Sequence, residues 1–325
     1  MFPASRVAVV YNPVKPGTDA IRRHAVDRAH RHGWTDPVFI ETTIDDPGAG
    51  QAAEAAASGV GLVIACGGDG TVRSVARGLI GTGVPMGVVP TGTGNLLARN
   101  LDIPLDDVDA AFATAMAGRS RLIDLGEVLF TDADGAEHED VFLVMLGTGM
   151  DAELVAGADD ALKAKVGWIA YVGSFTRAVL RGHRIKTLFT VGSGPKTYSR
   201  TRTLLVANCG RLQAGMVLVP DAVIDDGKLD VLTLGVKGPV AWIRAAGALT
   251  AHTVLHRVPA LRKLVAGLGR ARRMSEPMEF SQGARMAATV LDGPAAFQID
   301  GEDAGTVTAF EASIKHRALT VRVGL

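Results

Sequence analysis

Residues 62–79 read LVIACGGDGTVRSVARGL and carry the most specific signal in the chain. Residues 62–66 form a short apolar run, which is typical of a strand buried in a parallel sheet. Gly67, Gly68, Asp69, Gly70 and Thr71 follow it, and residues 71–79 have the pattern of a helix. Glycines allow positive φ and a close backbone approach to phosphate, and a helix N-terminus supplies free N–H groups. The stretch therefore predicts a strand, a phosphate-binding turn and a helix.

Asp69 is the unexpected residue in this turn, because a carboxylate repels phosphate unless a cation lies between them. Mg²⁺ prefers carboxylate, water and phosphate oxygens, so Asp69 is interpreted as a magnesium-linked residue. The alternative is an ordinary strand–turn–helix connection in which the acid is only exposed to solvent.

Strand and helix patterns alternate on both sides of this turn. Apolar runs at 7–11, 38–41, 62–66 and 85–89 are separated by helix patterns at 19–32, 51–57 and 71–79. Short apolar strands connected by helices favour a doubly wound parallel sheet. Ligands of such a sheet lie beyond the carboxyl ends of its strands.

Two further turns follow strands of the same predicted sheet. Pro90-Thr91-Gly92-Thr93-Gly94-Asn95 follows the next strand and precedes a second helix pattern, so two glycine-rich turns at neighbouring strand ends would form one anion cradle. The turn at Asn12 and Pro13 after the first strand is weaker, and alone it reads as a common turn. The Walker pattern is absent from the sequence, and no Gly-x-Gly-x-x-Gly follows the first strand. A Walker-type NTPase is thereby excluded, and a Rossmann dehydrogenase is disfavoured.

The pattern changes to β near residue 124. Turn signals separate strand patterns at 141–145, 187–191, 203–207, 229–234, 287–291, 295–299 and 318–323, and two helical insertions fall at about 158–181 and 240–273. We predict an α/β nucleotide-binding domain with a doubly wound parallel sheet over residues 1–124. A β-rich, antiparallel and sandwich-like domain with helical insertions covers residues 125–325, and the last strand could return to the first domain.

Composition indicates a globular protein without a bias toward one kind of partner. Lys plus Arg and Asp plus Glu number 34 each, so any basic surface must be local. The two cysteines, Cys66 and Cys209, do not suggest a disulfide-stapled fold. The first residues lack the features of a signal peptide, and no apolar run is long enough to span a bilayer. We expect a reduced, cytoplasmic enzyme.

Two acidic turns lie in the second part of the chain. Asp300 and Glu302 flank a glycine after a strand pattern, and either could be the general base for a hydroxyl; the alternative is a polar β-turn. Residues 223–228 contain Asp226 and could wrap a hard cation with a carboxylate and backbone carbonyls; the alternative is a charged hairpin turn.

Residues 231–275 contain no Asp or Glu but many basic and aliphatic residues and Trp242. Basic helices with an apolar face suit an anionic membrane surface, and the alternative is a core helix with solvated basic residues. The chain shows no aromatic platform for stacking bases, so nucleic acid is not an expected partner.

The ordered motifs resemble the diacylglycerol-kinase catalytic-domain family, which includes sphingosine and ceramide kinases. Residues 67–71 resemble its nucleotide loop, residues 90–95 its second loop, and Asn12-Pro13 its entry motif. Residues 147–152, 165–171, 206–208 with 220–230, and 300–302 resemble its later motifs in the same order. The Gly-Gly-Asp-Gly-Thr sequence alone is shared with NAD kinases and phosphofructokinases, so the order of the set is the specific feature.

This resemblance implies ATP and Mg²⁺ as cofactors and an active cleft between two domains. It implies that Asp69 organises Mg²⁺–ATP and that Glu302 or Asp300 accepts the proton, with Glu302 slightly favoured. It also implies a structural Mg²⁺ held by the Asp226 side chain and the carbonyls of Val223 and Lys228. The implied nucleotide-binding residues are Asn12, Pro13, Thr43, Gly67, Gly68, Asp69, Gly70, Thr71, Val72, Arg73, Thr93 and Asn95. The family has an acid just after the second loop, where this chain has Leu96, so the metal network is either thinner or rebuilt from Asp124.

The sequence therefore predicts an ATP-dependent lipid kinase, with diacylglycerol as the leading acceptor, acting on a lipid substrate at the inner face of an anionic membrane. One alternative is a kinase of a soluble substrate, such as an NAD kinase. The other is a nucleotide-binding membrane-surface protein that has lost catalysis, for which Leu96 is the best support. The oligomeric state stays open, with a homodimer as one option.

Overall fold

The computed structural model describes residues 6–15, 17–149, 184–213, 216–235, 247 and 278–325. The chain divides into two compact units. Unit 1 consists of Met1–Leu125 and Lys315–Leu325, and unit 2 consists of Gly126–Ile314. Two strands, β5 (Arg119–Thr131) and β16 (Ala309–Val323), have residues in both units.

Unit 1 alternates strands and helices. Its elements are, in chain order, β1 (Val7–Tyr11), α1 (Thr18–Arg31), β2 (Val38–Glu41), α2 (Ala49–Ala57), β3 (Leu62–Gly67), α3 (Asp69–Leu79), β4 (Met86–Pro90), α4 (Leu96–Asn100) and α5 (Val108–Ala117), followed by the start of β5 and the end of β16. The strands pair in the order β2-β1-β3-β4-β16, and every pairing in this series is parallel.

The buried residues of α3 show which face of this helix packs against the rest of unit 1. Its buried residues are Val72, Val75, Ala76 and Leu79, which recur at the three- and four-residue spacing of one helix face. The preceding strand β3 is buried at every position. A buried strand that leads directly into an amphipathic helix holds the turn between them in a defined place.

Unit 2 is built from antiparallel strands. Its further strands are β6 (Glu137–Phe142), β7 (Met145–Thr148), β8 (Ile185–Val191), β9 (Thr197–Thr201), β10 (Thr203–Ala207), β11 (Leu229–Leu234), β12 (Met278–Gly283), β13 (Arg285–Val290), β14 (Ala295–Ile299) and β15 (Glu302–Val307). One sheet has the order β12-β11-β10-β7-β14-β15, and the other carries β16-β13-β8-β9 with the β5–β6 hairpin.

The core of unit 2 combines buried side chains from both sheets, as a sandwich requires. Phe297 of β14 packs against Phe130 of β5 and Phe310 of β16, with ring centroids 5.0 and 5.4 Å apart. The predicted fold class, a parallel α/β part followed by an antiparallel β part, is confirmed.

One predicted strand is wrong in its bounds. We expected a single strand over residues 141–145, but β6 ends at Phe142 and β7 begins at Met145. The strand breaks there because the N–H groups of Leu143 and Val144 donate to the carboxylate of Asp300. The predicted helical insertions lie outside the described residues, apart from Gly247.

Candidate functional site

The carboxyl edge of the unit 1 sheet brings the predicted nucleotide motifs into one row. Glu41, the last residue of β2, pairs with Tyr11 of β1, and Tyr11 pairs with Cys66 of β3. Gly67 in turn pairs with Pro90 of β4. The turns that follow these strands therefore lie side by side, although they come from separate parts of the sequence.

The two glycine-rich turns touch each other through their backbones. A Cβ atom placed on Gly92 would lie 2.6 Å from the Cα of Gly68, so a side chain at Gly92 would force the two turns apart. The N–H of Thr91 donates to the carbonyl of Gly67 at 3.0 Å. Glycine at position 92 is thus required by the close approach of one turn to the other, whereas a Cβ atom on Gly68 would make only an ordinary contact at 3.5 Å.

Asp69 joins the two turns. One of its carboxylate oxygens, Oδ1, accepts a hydrogen bond of 2.6 Å from the backbone N–H of Leu96. The position that lacks the family's acid therefore contributes a backbone donor to Asp69. Sequence reasoning treated position 96 as a side chain and missed this bond, since a backbone N–H leaves no signal in the residue type.

Asn95 shapes the second turn from within. It adopts a left-handed conformation with φ of 49°, and its buried side chain donates to the carbonyl of Gly92 and accepts from the N–H of Gly92. The amide of Asn95 therefore holds the turn closed, whereas Thr93 at its tip is exposed.

The helix that follows the first turn has an N-terminus suited to an anion. At the start of α2, Asp46 accepts hydrogen bonds from the N–H groups of Gly48, Ala49 and Gly50, and at the start of α5 Asp107 accepts from Ala110. The cap residue of α3 is Gly68, which has no side chain with which to cap the helix, as is also true of Gly17 at the start of α1. Free N–H groups and the helix dipole favour an anion at such an end.

The remaining predicted residues of this edge lie in short turns. Asn12 accepts from the N–H of Val14 at 3.1 Å, and Pro13 is exposed. The Thr43 hydroxyl accepts from the N–H of Asp46 at 3.0 Å and so helps to form the turn that precedes α2. Val72 is buried in the first turn of α3, whereas Arg73 is half-buried there.

The two candidate bases of unit 2, Asp300 and Glu302, differ in burial. Asp300 is 2% exposed, and its carboxylate accepts N–H bonds of 2.9, 2.8 and 3.0 Å from Leu143, Val144 and Met145. Asp300 and Gly301 have φ of 52° and 83°, as a tight hairpin turn between β14 and β15 needs. Glu302, the first residue of β15, is exposed. Only Glu302 of the two candidate bases lies at the surface of unit 2.

The candidate structural metal site is a tight turn with oxygen donors. The N–H of Asp226 donates to the carbonyl of Val223 at 3.4 Å, and the Asp226 carboxylate accepts from the N–H of Lys228 at 3.1 Å. Burial raises the pKa of Asp230 to about 6; the Gln282 amide works against this rise, while the carboxylates of Asp226 and Asp221 add to it. Oxygen donors in negative surroundings suit a hard cation, so these residues fit Mg²⁺.

Asp124, considered as a further metal residue, is fully buried in unit 1. Its Oδ1 accepts from the N–H of Arg317 at 2.7 Å and lies 2.8 Å from Nδ1 of His316. This bond supports Arg317, which has φ of 50°. Asp124 thus stabilises the backbone of the last strand at Arg317.

The described part of the chain shows no further candidate metal site. No group of three or more His, Cys, Asp or Glu there could hold a metal ion, and no helix there is long and apolar enough to cross a membrane. Cys66 and Cys209 are both buried and free, and burial raises the pKa of the Cys66 thiol to about 12. Residues 150–152, 165–171, 236–246 and 248–275 lie outside the described residues, so the motifs predicted there stay predictions.

Comparison with known proteins gives two family matches that follow each other along the chain. Residues 6–128 match the diacylglycerol kinase catalytic domain, and residues 144–323 match the YegS C-terminal NAD kinase beta sandwich-like domain. The second match alone covers more than half of the chain.

Individual relatives agree with these matches. The chain is 28% identical to the diacylglycerol kinase of Bacillus subtilis (strain 168) over 248 residues, 74% of this chain and 77% of that protein. It is 32% identical to a probable lipid kinase, YegS-like, of Yersinia pestis (strain Pestoides F) over 190 residues, 57% of this chain and 60% of that protein.

Solved structures share the fold. A diacylglycerol kinase from Bacillus anthracis str. Sterne superposes with a TM-score of 0.66 at 15% identity, covering 98% of this chain and 97% of the other. Yeast NADH kinase complexed with NADH gives a TM-score of 0.51 at 10% identity, covering 99% and 84%. At these identities the likeness concerns the fold alone.

Proposed function

Because the chain belongs to the diacylglycerol kinase catalytic-domain family, and so to a family of kinases, we propose that it transfers the γ-phosphate of ATP to the hydroxyl of a lipid. Diacylglycerol is the first acceptor to test, as the names of the Bacillus subtilis relative and of the matched catalytic domain suggest. The observation that carries the proposal is the close approach of the two glycine-rich turns at the start of α3. A Cβ atom on Gly92 would lie 2.6 Å from the Cα of Gly68, and the carboxylate of Asp69 accepts the N–H of Leu96 across the two turns.

In this proposal the backbone N–H groups of the first turn hold the ATP phosphates. At the starts of α2 and α5 the N–H groups are already engaged by Asp46 and Asp107, so those two helix ends are less suited to an external anion. Phosphoryl transfer depends mainly on positioning and charge neutralisation, which such a cradle supplies.

Asp69 would hold Mg²⁺ beside these phosphates, and the turn around Asp226 would hold a second, structural Mg²⁺. A bound Mg²⁺ supplies neutralisation of charge on the transferring phosphoryl group. The contribution of Asp69 itself is to keep the two turns together through Leu96 while presenting a carboxylate at the phosphate site.

Glu302 is our choice for the general base. It is exposed, whereas Asp300 is buried and accepts three backbone hydrogen bonds. A base must be able to reach the hydroxyl proton, so Asp300 is assigned the role of positioning the turn that presents Glu302.

We also propose that residues 235–275 bind the protein peripherally to the inner face of an anionic membrane. The first residues of the predicted stretch, 231–234, belong to the buried strand β11 and take no part in this surface. The support is the sequence pattern of basic and aliphatic residues without acids. Changing Arg270, Arg272 and Arg273 together to Glu should weaken sedimentation with anionic vesicles by more than tenfold. Equal sedimentation of variant and parent would reject this part of the proposal and leave the kinase assignment intact.

The decisive experiment is transfer of radiolabelled γ-phosphate from ATP to a panel of acceptors with and without Mg²⁺. We expect labelled phosphatidic acid from diacylglycerol in the presence of Mg²⁺. Label on NAD instead would support the soluble-substrate alternative. The absence of any labelled acceptor, from protein that binds ATP, would support the non-catalytic alternative.

A further inference from the structure

The carboxyl edge of unit 1 carries a polar cluster outside the glycine-rich turns, formed by Tyr11, Arg22 and Glu41. Glu41 ends β2, and it is two strands away from β3, the strand that leads into the phosphate-binding turn. Adjacent strands are separated by about 4.8 Å, so Glu41 lies about 10 Å along the edge from that turn. This is the length scale of a nucleotide whose phosphates occupy the turn.

The carboxylate of Glu41 is held in place. The Tyr11 hydroxyl donates to its Oε1 at 2.6 Å, and a guanidinium nitrogen of Arg22 lies 3.7 Å from the same oxygen. Arg22 also contacts the Tyr11 hydroxyl and lies over the rings of Tyr11 and Phe39, at 5.3 and 4.9 Å from their centroids. The side chain of Glu41 is nevertheless 56% exposed.

This arrangement orients a hydrogen-bond acceptor toward a ligand. Burial of Tyr11, together with its bond to Glu41, raises the pKa of its phenol, so the hydroxyl stays a donor. Both contacts use Oε1, and among the described residues none donates a hydrogen bond to Oε2. A fixed carboxylate on a side chain that is 56% exposed matches a pair of neighbouring hydroxyl donors.

The loops beside Glu41 suit the rest of a nucleoside. The turns after β1 and β2 each present an exposed aliphatic side chain, Val14 at 86% and Ile44 at 100%. Exposed aliphatic side chains next to an oriented carboxylate offer cover for a planar base and an acceptor for its sugar. In the dinucleotide-binding fold an acid at the end of the strand next to the glycine-rich turn binds ribose hydroxyls, whereas Glu41 lies one strand further along the edge.

We infer that Glu41, held by Tyr11 and Arg22, accepts a hydrogen bond from the ribose hydroxyls of the bound nucleotide and makes the site selective for ribonucleotides. This inference rests on the proposed ATP-binding function. Tyr11 and Arg22 are positioning residues, because they act through Glu41.

The test is calorimetric binding of ATP, 2′,3′-dideoxy-ATP and inorganic tripolyphosphate to the whole chain. The parent protein should bind ATP about tenfold or more tightly than dideoxy-ATP, as expected for a hydrogen bond to a charged acceptor. Glu41→Ala should bring the two dissociation constants within threefold of each other, while its affinity for tripolyphosphate stays unchanged. Glu54→Ala, at an exposed position in α2, is the matched control and should keep the full preference.

Tyr11→Phe is a second variant that removes only the orienting hydroxyl. It should reduce the preference for ATP over dideoxy-ATP less than Glu41→Ala does, because the carboxylate of Glu41 remains but is held less firmly. A Glu41→Ala protein that keeps the tenfold preference would overturn the inference and leave ATP binding intact. A parent protein that binds neither nucleotide would overturn the proposed function as well.

Discussion

Two acid–glycine turns, one in each unit, look alike in sequence and differ in what surrounds the acid. Asp69 and Asp300 both follow a buried strand and both stand next to a glycine. Asp300 is buried and accepts three backbone N–H bonds from residues 143–145. Asp69 is half-buried at the start of α3, and it accepts an N–H bond from Leu96 across the two turns.

This difference indicates which of the two carboxylates has a charge that can act on a ligand. A carboxylate that accepts several backbone N–H groups has its charge compensated by the fold, and it stabilises the fold in return. A carboxylate at the start of a helix, beside glycines that leave room for phosphate, is placed to act on a ligand. The type of residue and its neighbours in sequence do not distinguish these two cases.

The largest effect is expected at Asp69. Both Asp69→Asn and Asp69→Ala should lower turnover by at least about 10³-fold, because each removes the charge at the phosphate site. Asn keeps an acceptor for the N–H of Leu96, so it should also keep the melting temperature, whereas Ala should lower it slightly. A folded Asp69→Asn protein with turnover near that of the parent would mean that the acid only braces the two turns.

Asp300→Asn should act mainly on stability. The amide of Asn would turn an NH₂ group toward backbone N–H donors, and we expect a loss of about 3–5 kcal/mol in the free energy of unfolding. Urea denaturation measures it. Glu302→Gln is the matched control, since its exposed side chain should change stability by less than about 0.5 kcal/mol. Equal stability of the two variants would show that the three bonds do not support the fold.

Glu302→Gln should lower turnover by about 10²-fold, as expected when a general base is lost. Asp303→Asn, at the next exposed position in β15, should leave turnover within a factor of three. If both variants retain the activity of the parent, the proton acceptor is another residue, and the contrast between Asp300 and Glu302 concerns structure only.

Asp230 is a third acid for this comparison. Its negative charge is poorly stabilised in the folded protein because the residue is buried. Its pKa is raised from 3.8 to about 6, so the folded state holds the proton more tightly than the unfolded state. Stability should therefore fall as pH rises from about 4 to 6, by at most about 3 kcal/mol, and stay lower above that range. Asp230→Asn should flatten this dependence and be more stable than the parent at pH 7.5. Thermal unfolding between pH 4 and 8 in the absence of Mg²⁺ tests it, and identical pH profiles would contradict the assignment.

Local patterns were sufficient for the parallel α/β part and for the place of its turns. Strand Leu62–Gly67, helix Asp69–Leu79 and the second turn are each specified by neighbouring residues, and parallel pairing then places both turns at one edge. The capping of α2 by Asp46 is also a local feature, because an acid just before a helix pattern is typical of a helix N-terminus.

Contacts between distant residues could not be predicted in the same way. Asp300 and Leu143 are 157 positions apart, and their bond breaks the strand that the apolar run at 141–145 suggested. The bond between Asp69 and Leu96 likewise depends on the approach of two turns. Periodicity and residue type describe one element at a time, so a hydrogen bond between elements appears only once they are packed.

The return of the last strand has a consequence for biosynthesis. The end of β16 pairs with β4 at Val321 and Met86, and Arg322 donates to the carbonyl of Ala115 at the end of α5. Unit 1 thus includes residues that the ribosome adds almost two hundred positions after its own first 125, as the bounds of the two units show. The carboxyl edge of the unit 1 sheet can begin to form early in translation, but the sheet gains its fifth strand only after the whole of unit 2 has emerged. A nascent chain stalled before residue 315 would therefore expose the outer edge of β4 to other strands and to quality-control proteases.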